Sequence, residues 1–324
     1  MTGSPVRHHR DRGSDCLRIA SVTMVGQFPH GIDPHVRNLR WALTPADHIF
    51  VVTLPDIIAT FGLVSDERVT YVPFVPKEVR PSGWIVFWRE FPALVREFGI
   101  DPEWFLLMES DIWFFERPAV PGGPGCIRSF LAPGNGYRDV KVGGRLLQPR
   151  IWEGAQLVSG GVVRQAIDFG IDFSSVPETF VDRNRFVYEE RFGGPISLAD
   201  NHMPDTLDEL NLFCALEARV AFEREVRAVH LRGPETLHRR FPEIYRGATR
   251  AQVADIQQRQ SYLDVLLPIA VYHATGLWQD IDGLDWTGAW PDSRRDLDQV
   301  LGSARAWLTD DEIARLAHAR RLMG

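Results

Sequence analysis

Long apolar stretches are missing from this chain. A helix that crosses a bilayer needs roughly 18 to 20 such residues, and the best stretch, residues 265–274, is too short and contains Pro268. No membrane span is expected. Cysteine is scarce as well: Cys16, Cys126 and Cys214 are odd in number, widely spaced and never in CxxC form. That pattern argues against a disulfide frame or a thiolate zinc site and fits a reducing cytoplasm. Nor is there a surplus of positive charge. Lys and Arg number 36 against 43 Asp and Glu, a net charge of −7, so no global field would hold a nucleic-acid polymer by counterion release. Residues 1–16 mix Gly, Ser, Pro and both charges without an apolar h-region. They read as a disordered tail and not as a secretory signal.

What is present is ample apolar material. With 324 residues and 44% hydrophobic content, the chain can bury a sizeable core as one large domain or a domain with an extension. Residues 17–25 (LRIASVTMV), 49–54 (IFVVTL) and 69–75 (VTYVPFV) are apolar and partly β-branched, which predicts strands. Helical spacing lies between the first two at residues 34–41 and again at 82–98, where Pro92 is expected to kink or shorten the helix. A fourth strand, residues 104–108, runs into Glu109-Ser110-Asp111. Such alternation implies an α/β fold with a mainly parallel sheet, helices on both faces, and ligands beyond the carboxyl ends of the strands.

Residues 118–150 shift to Gly, Pro and Arg and read as loops around short strands. Residues 156–163 (QLVSGGVV) read as a strand with a Gly-Gly break, and 206–220 as a helix capped by Thr206 with Asp208 and Glu209 in its first turn. Residues 226–230 form a short strand. From about residue 246 to 324 helical patterns flank a Trp/Gly/Asp-rich loop, a helical extension expected to pack on the 17–245 domain.

Three features could carry chemistry. Glu109 and Asp111 are two positions apart at a strand mouth, on one side of the sheet if the strand persists. Hard oxygen donors at that spacing suit Mg2+ or Mn2+ together with substrate phosphates, though strand ends are also acidic for solubility alone. His230 ends a second strand, ahead of Arg232, the permissive Gly233 and Pro234. Mn2+ accepts imidazole beside carboxylates, while Arg232, Arg239 and Arg240 could clamp a diphosphate. Third, Ser159-Gly160-Gly161 offers a loop without side-chain bulk where a sugar can approach the backbone, or else a β-bulge. Trp152 and Glu153 could line an acceptor site. His30 and His35 (HGIDPH) lack a ligand spacing because Pro34 stands between them, and read as loop residues near a donor.

The order strand, Glu109-Ser110-Asp111, Ser159-Gly160-Gly161, an acidic helix start and a late His230-x-x-Gly233-Pro234 resembles the GT-A fold of nucleotide-sugar-dependent glycosyltransferases. The triplet is similar to that superfamily's DxD motif, with Glu in the first place. The resemblance implies a mixed Rossmann-like sheet flanked by helices, spanning about residues 17–245. It further implies that Asp111 binds a divalent ion bridging the donor diphosphate, with Ser110 and Glu109 at the donor and Glu109 meeting its ribose or the ion through water. His230 is similar to the late metal ligand of the glycogenin-like retaining branch, whose motif is HxxGxxK, although Thr236 stands where the lysine belongs. By the same resemblance, Thr23 and Met24 at the end of the first strand and Thr53 at the end of the second would seat the nucleotide. Arg89 would reach the donor. Asp208 and Glu209 resemble the acidic pair from which inverting members draw a base, and the stretch from Asp205 to Asn211 is faintly similar to the DQD-x-x-N element of the retaining branch.

The reading is therefore a transferase moving a sugar from a nucleotide-diphosphate sugar, UDP favoured over GDP, to a hydroxyl acceptor such as a small molecule. Stereochemistry is left open, with His230 tilting it toward retention. Two other readings compete: a sugar-phosphate nucleotidyltransferase, which calls for more glycine after the first strand than SVTMVGQFP has, and a nucleotide-sugar-binding module without catalysis.

Overall fold

The computed structural model describes residues 18–25, 31–75, 88–121, 123, 125–131, 139–142, 145–149, 154–173, 196–198, 207–218, 220–230, 270, 273–276 and 291–322. Strand β1 (Ile19–Val25) is buried at every position, as an apolar run becomes when helices cover both faces of its sheet. Helix α1 (Ile32–Ala42), β2 (His48–Thr53), the short helix α2 (Pro55–Thr60), β3 (Val69–Pro73), α3 (Phe91–Glu97) and β4 (Trp104–Glu109) come next. Prolines start several of these helices. Pro34 stands in the first turn of α1, Pro55 opens α2 and Pro92 falls in the first turn of α3, where a missing N–H has no intrahelical partner to lose. The kink expected at Pro92 is thus a helix start.

After β4 the chain makes β5 (Ile112–Phe114), β6 (Cys126–Ser129), the hairpin β7 (Asp139–Val142) and β8 (Arg145–Pro149), and β9 (Ala155–Ser159). Helix α4 (Gly160–Phe169), β10 (Ile196–Leu198), α5 (Asp208–Leu216), β11 (Ala221–Arg224), β12 (Ala228–His230), α6 (Pro291–Ala304) and α7 (Asp310–Leu322) complete the described elements. The main sheet has seven strands in the order β11-β6-β9-β4-β1-β2-β3. Strands β1 to β4 are parallel, β9 is antiparallel to β4 and β6, and β11 is parallel to β6. The architecture is the expected mixed α/β sheet with flanking helices.

Strand alternation divides the core in two. Ala20, Val22, Met24, Phe105, Leu107 and Val158 face the helices α3, α4 and α5. Ile19, Val25, Leu106, Met108 and Leu157 face α1. Cys214, in the first of these cores, is a buried free thiol whose pKa burial pushes up. No helix among the described residues is long and apolar enough to cross a membrane.

The C-terminal helices are fastened to α1. The Arg37 guanidinium donates to both carboxylate oxygens of Glu312 at 2.8 Å and to the Trp307 carbonyl at 2.8 Å. Glu312 also closes a capping box: it accepts from the Thr309 N–H (2.8 Å), and its own N–H donates to the Thr309 hydroxyl (3.3 Å). Beside it, Trp307 meets Trp113 of β5 edge to face at 4.8 Å. The tail 1–16, the 245/246 boundary and the helical pattern expected just beyond it lie outside the described residues.

Candidate functional site at the mouth of the parallel strands

Strand β1 leads through α1 to β2 on one side, while β4 lies on its other side. The strand order reverses there, and in open α/β sheets the crevice beyond such a reversal is where ligands bind. The register sets Thr23 beside Met108 and Met24 beside Glu109 at this end of the sheet, with the Thr23 and Met24 side chains buried. Thr53, at the end of β2, pairs with Val25 and donates its hydroxyl to the Val25 carbonyl at 2.7 Å. It is fully buried, clasping the two strand ends together.

The strand does not persist past Glu109. Ser110 and Asp111 form a turn, and the chain continues as β5 in a separate two-stranded ladder with β12. The condition under which alternation would set both carboxylates on one side is therefore not met. Glu109 continues the alternation of Phe105 and Leu107 on the face covered by α3 to α5 and is half-exposed. Asp111, 8% exposed, lies near enough to α1 for its charge to act on His35. In the ladder Ile112 pairs with His230, so the backbone of the third expected ligand sits one residue from Asp111.

His35 is not a loop residue but a buried one on α1. Its Nε2 and the Thr23 hydroxyl are 3.0 Å apart. Burial drives its pKa down from 6.5 to about 4, against the opposing pull of the Asp111 charge and the Ile112 backbone, so the ring is neutral at neutral pH. One turn further along α1, the fully buried Asn38 donates from Nδ2 to the Phe114 carbonyl (2.8 Å) and accepts from the Phe114 N–H on Oδ1 (2.8 Å). Its amide thereby closes the edge of β5 that β12 does not. Sequence reasoning missed both roles. The signal was a polar pair, His35 and Asn38, three apart and framed by Ile32, Val36 and Leu39 at helical spacing.

Arg89 forms an ion pair with Asp172 at 3.7 Å. The neighbouring Phe173 carbonyl accepts from the Leu207 N–H (3.0 Å), which joins the end of α4 to the start of α5. Asp208 and Glu209 are the first two residues of α5. The cap position is not Thr206, which lies outside the described residues, but Leu207, at φ 66° and without a side-chain cap bond.

Ser159, Gly160 and Gly161 are not at the crevice. Strand β9 ends at Ser159, whose hydroxyl caps α4 by accepting from the Val162 N–H (3.3 Å). The two glycines are the first turn of that helix, not a break in a strand. Ser159 pairs with Trp104, the first residue of β4, so the triplet sits at the opposite end of the sheet from Glu109. Gly160 is needed there for packing: a Cβ would fall far inside contact with the Pro102 carbonyl oxygen. It is Gly154, at the start of β9, that reaches the mouth, its carbonyl accepting from the Glu109 N–H at 2.9 Å. Trp152, Glu153, His30, Arg232, Gly233, Thr236, Arg239 and Arg240 lie outside the described residues.

Among the described residues no group of three or more His, Cys, Asp or Glu side chains is gathered into a metal cage. Two hard carboxylates at a strand mouth nevertheless match an ion that takes one or two protein oxygens and completes its shell with phosphate and water, as Mg2+ does.

No protein-family model and no curated protein matches the chain. Among solved structures, it is similar to the crystal structure of the glycosyltransferase GlyE from Streptococcus pneumoniae TIGR4, at 10% identity and a TM-score of 0.36. It is also similar to the apo form of that protein, at 8% identity and a TM-score of 0.37. Each match covers 64% of this chain and 45% of the other, so the chain spans under half the length of the structures it matches, and a likeness at this level assigns no function.

Proposed function

We propose that the chain is a metal-dependent glycosyltransferase that moves a sugar from a nucleoside-diphosphate donor, UDP-sugars favoured over GDP-sugars, to a hydroxyl acceptor. The observation that carries the reading is the register: β1 and β4 bring Met24 beside Glu109, and the β5–β12 ladder brings His230 beside Ile112, the residue next to Asp111. In this reading Asp111 and Glu109, with His230 as third ligand, hold Mn2+ or Mg2+. Such an ion offsets the negative charge that gathers on the departing nucleoside diphosphate.

The chain's own residues set direction and desolvation. The buried ring of His35, whose Nε2 lies 3.0 Å from the Thr23 hydroxyl, feels the Asp111 charge, and in this reading the half-exposed Glu109 faces the donor. Arg232, with Gly233 allowing close backbone approach, is the nearest cation in sequence to His230 on its C-terminal side and takes part of the diphosphate charge. On the acceptor side Asp208 and Glu209 are the candidate bases. An inverting reaction needs a carboxylate about 2.6 to 3.2 Å from the acceptor hydroxyl, whereas retention does not, and His230 tilts the reading to retention.

The test is donor binding and turnover with UDP- and GDP-sugars, with and without Mn2+. Asp111→Asn is expected to cut turnover at least a hundredfold and to erase the metal's effect on donor affinity while the fold is kept. Donor affinity that is the same in EDTA and in this variant would sink the proposal. The anomeric configuration of the product, read by NMR, then decides whether Asp208→Asn or Glu209→Gln should abolish turnover.

A further inference from the structure

The direction of Asp111 is not fixed by the seven-stranded sheet, because the chain leaves that sheet at Ser110. Directly after Asp111 comes a strand of three residues, β5. One edge of it is paired with β12. The other edge is met by a side chain: the Asn38 amide makes both bonds that a neighbouring strand would make at Phe114, each at 2.8 Å. The amide is fully buried, so water cannot replace it, and a buried strand N–H and C=O left unmade is costly. Helix α1 therefore meets β5 directly at Phe114, three residues past Asp111.

We propose that Asn38 is a positioning residue for the Asp111 carboxylate, holding β5 against α1 so that the carboxylate stays aimed at the crevice between β1 and β4. The inference rests on the metal-dependent reading above but concerns a residue that touches neither donor nor ion. A positioning group must keep its target within a fraction of an ångström, and two short bonds on one rigid amide do this where a single flexible contact would not.

The experiment compares Asn38→Leu, which keeps the volume and loses both bonds, with Phe114→Leu, which trims the same strand but leaves its backbone bonds to Asn38 in place. Affinity for UDP is measured by calorimetry with and without Mn2+, beside the melting temperature of each variant. The expected result is that Asn38→Leu cuts the Mn2+-dependent tightening of UDP by tenfold or more and leaves metal-free UDP binding within twofold. Phe114→Leu should keep the tightening within threefold even where its melting temperature falls as far. Asn38→Ser, which can remake one of the two bonds, replaces the leucine variant if that does not fold, and should show an intermediate loss. Equal losses in the Asn38 and Phe114 variants, or an undiminished tightening in Asn38→Leu, would overturn the proposal. A wild-type protein whose UDP affinity ignores Mn2+ is a separate result. It overturns the metal-dependent reading itself and, with it, any positioning role.

Discussion

His35 couples the site to acidity. In the unfolded chain an imidazole takes a proton near pH 6.5, whereas the buried ring holds out to about 4. Between those values the unfolded state binds more protons, so stability rises with pH there. The contribution is complete above about pH 6.5 and is lost as pH falls toward 4, about 3 kcal/mol in all. Urea unfolding at pH 7.5 and 4.5 should show this loss, and His35→Gln should flatten that part of the profile. A second prediction concerns two amides. Gln156 is fully buried, Asn211 is 8% exposed, and none of their amide atoms has a hydrogen-bond partner among the described residues. Exchanging an unpaired buried polar group for an apolar one of similar shape is neutral or favourable. Gln156→Met should therefore leave the midpoint of denaturant unfolding unchanged or raise stability by about 1 kcal/mol, and a drop beyond that would mean the amide has a partner after all. Both glutamine and asparagine looked ordinary in sequence, because whether a polar residue is paired depends on what the fold brings against it.

Elements were more legible than the residues they carry. Apolar runs at residues 17–25, 49–54 and 69–75 predicted β1, β2 and β3 to within about two residues, since buried parallel strands write themselves as unbroken Val, Ile and Leu. The Ser159-Gly160-Gly161 segment is ambiguous in sequence for a physical reason. An N-cap serine and a loop serine look alike in sequence, and only the antiparallel course of β9 puts this one at the far end of the sheet. That placement makes Gly160→Ala a test of packing alone. The added methyl must push α4 away from the Pro102 carbonyl, with an expected cost of about 1 to 3 kcal/mol and no change in donor affinity per folded molecule. Leu207 is the reverse case. It is a buried leucine in left-handed backbone, a conformation that costs of order 1 to 3 kcal/mol, held by its N–H to Phe173 and placed directly ahead of Asp208.

Across the whole molecule, α1 works as a hub. One of its faces packs on the sheet, His35 and Asn38 reach the Asp111 segment, and Arg37 grips the C-terminal helices. The helical spacing of His35 and Asn38 among apolar residues marks them as buried, but their partners, tens of residues away or more, leave no trace in local sequence pattern. Burial works against the Glu312 carboxylate, yet the hydrogen bonds from Arg37 and Thr309 outweigh it and hold its pKa below the ordinary carboxylate value. Glu312→Gln keeps the shape but removes the charge from two charge-assisted bonds, so a stability loss of about 1 to 3 kcal/mol is expected. Limited proteolysis should then clip the chain ahead of α7 sooner than in the wild type. Unchanged cleavage would show that the Trp113–Trp307 contact holds the helix without the ion pair.

The departure of the chain from the large sheet at Ser110 has a consequence for how such a protein can change. A carboxylate rooted in the middle of a seven-stranded sheet could be redirected only by disturbing the cooperative unit that keeps the protein folded. Here the acid directly precedes a small ladder of two three-residue strands, β5 and β12, so a change within that ladder leaves the pairing of the seven strands intact.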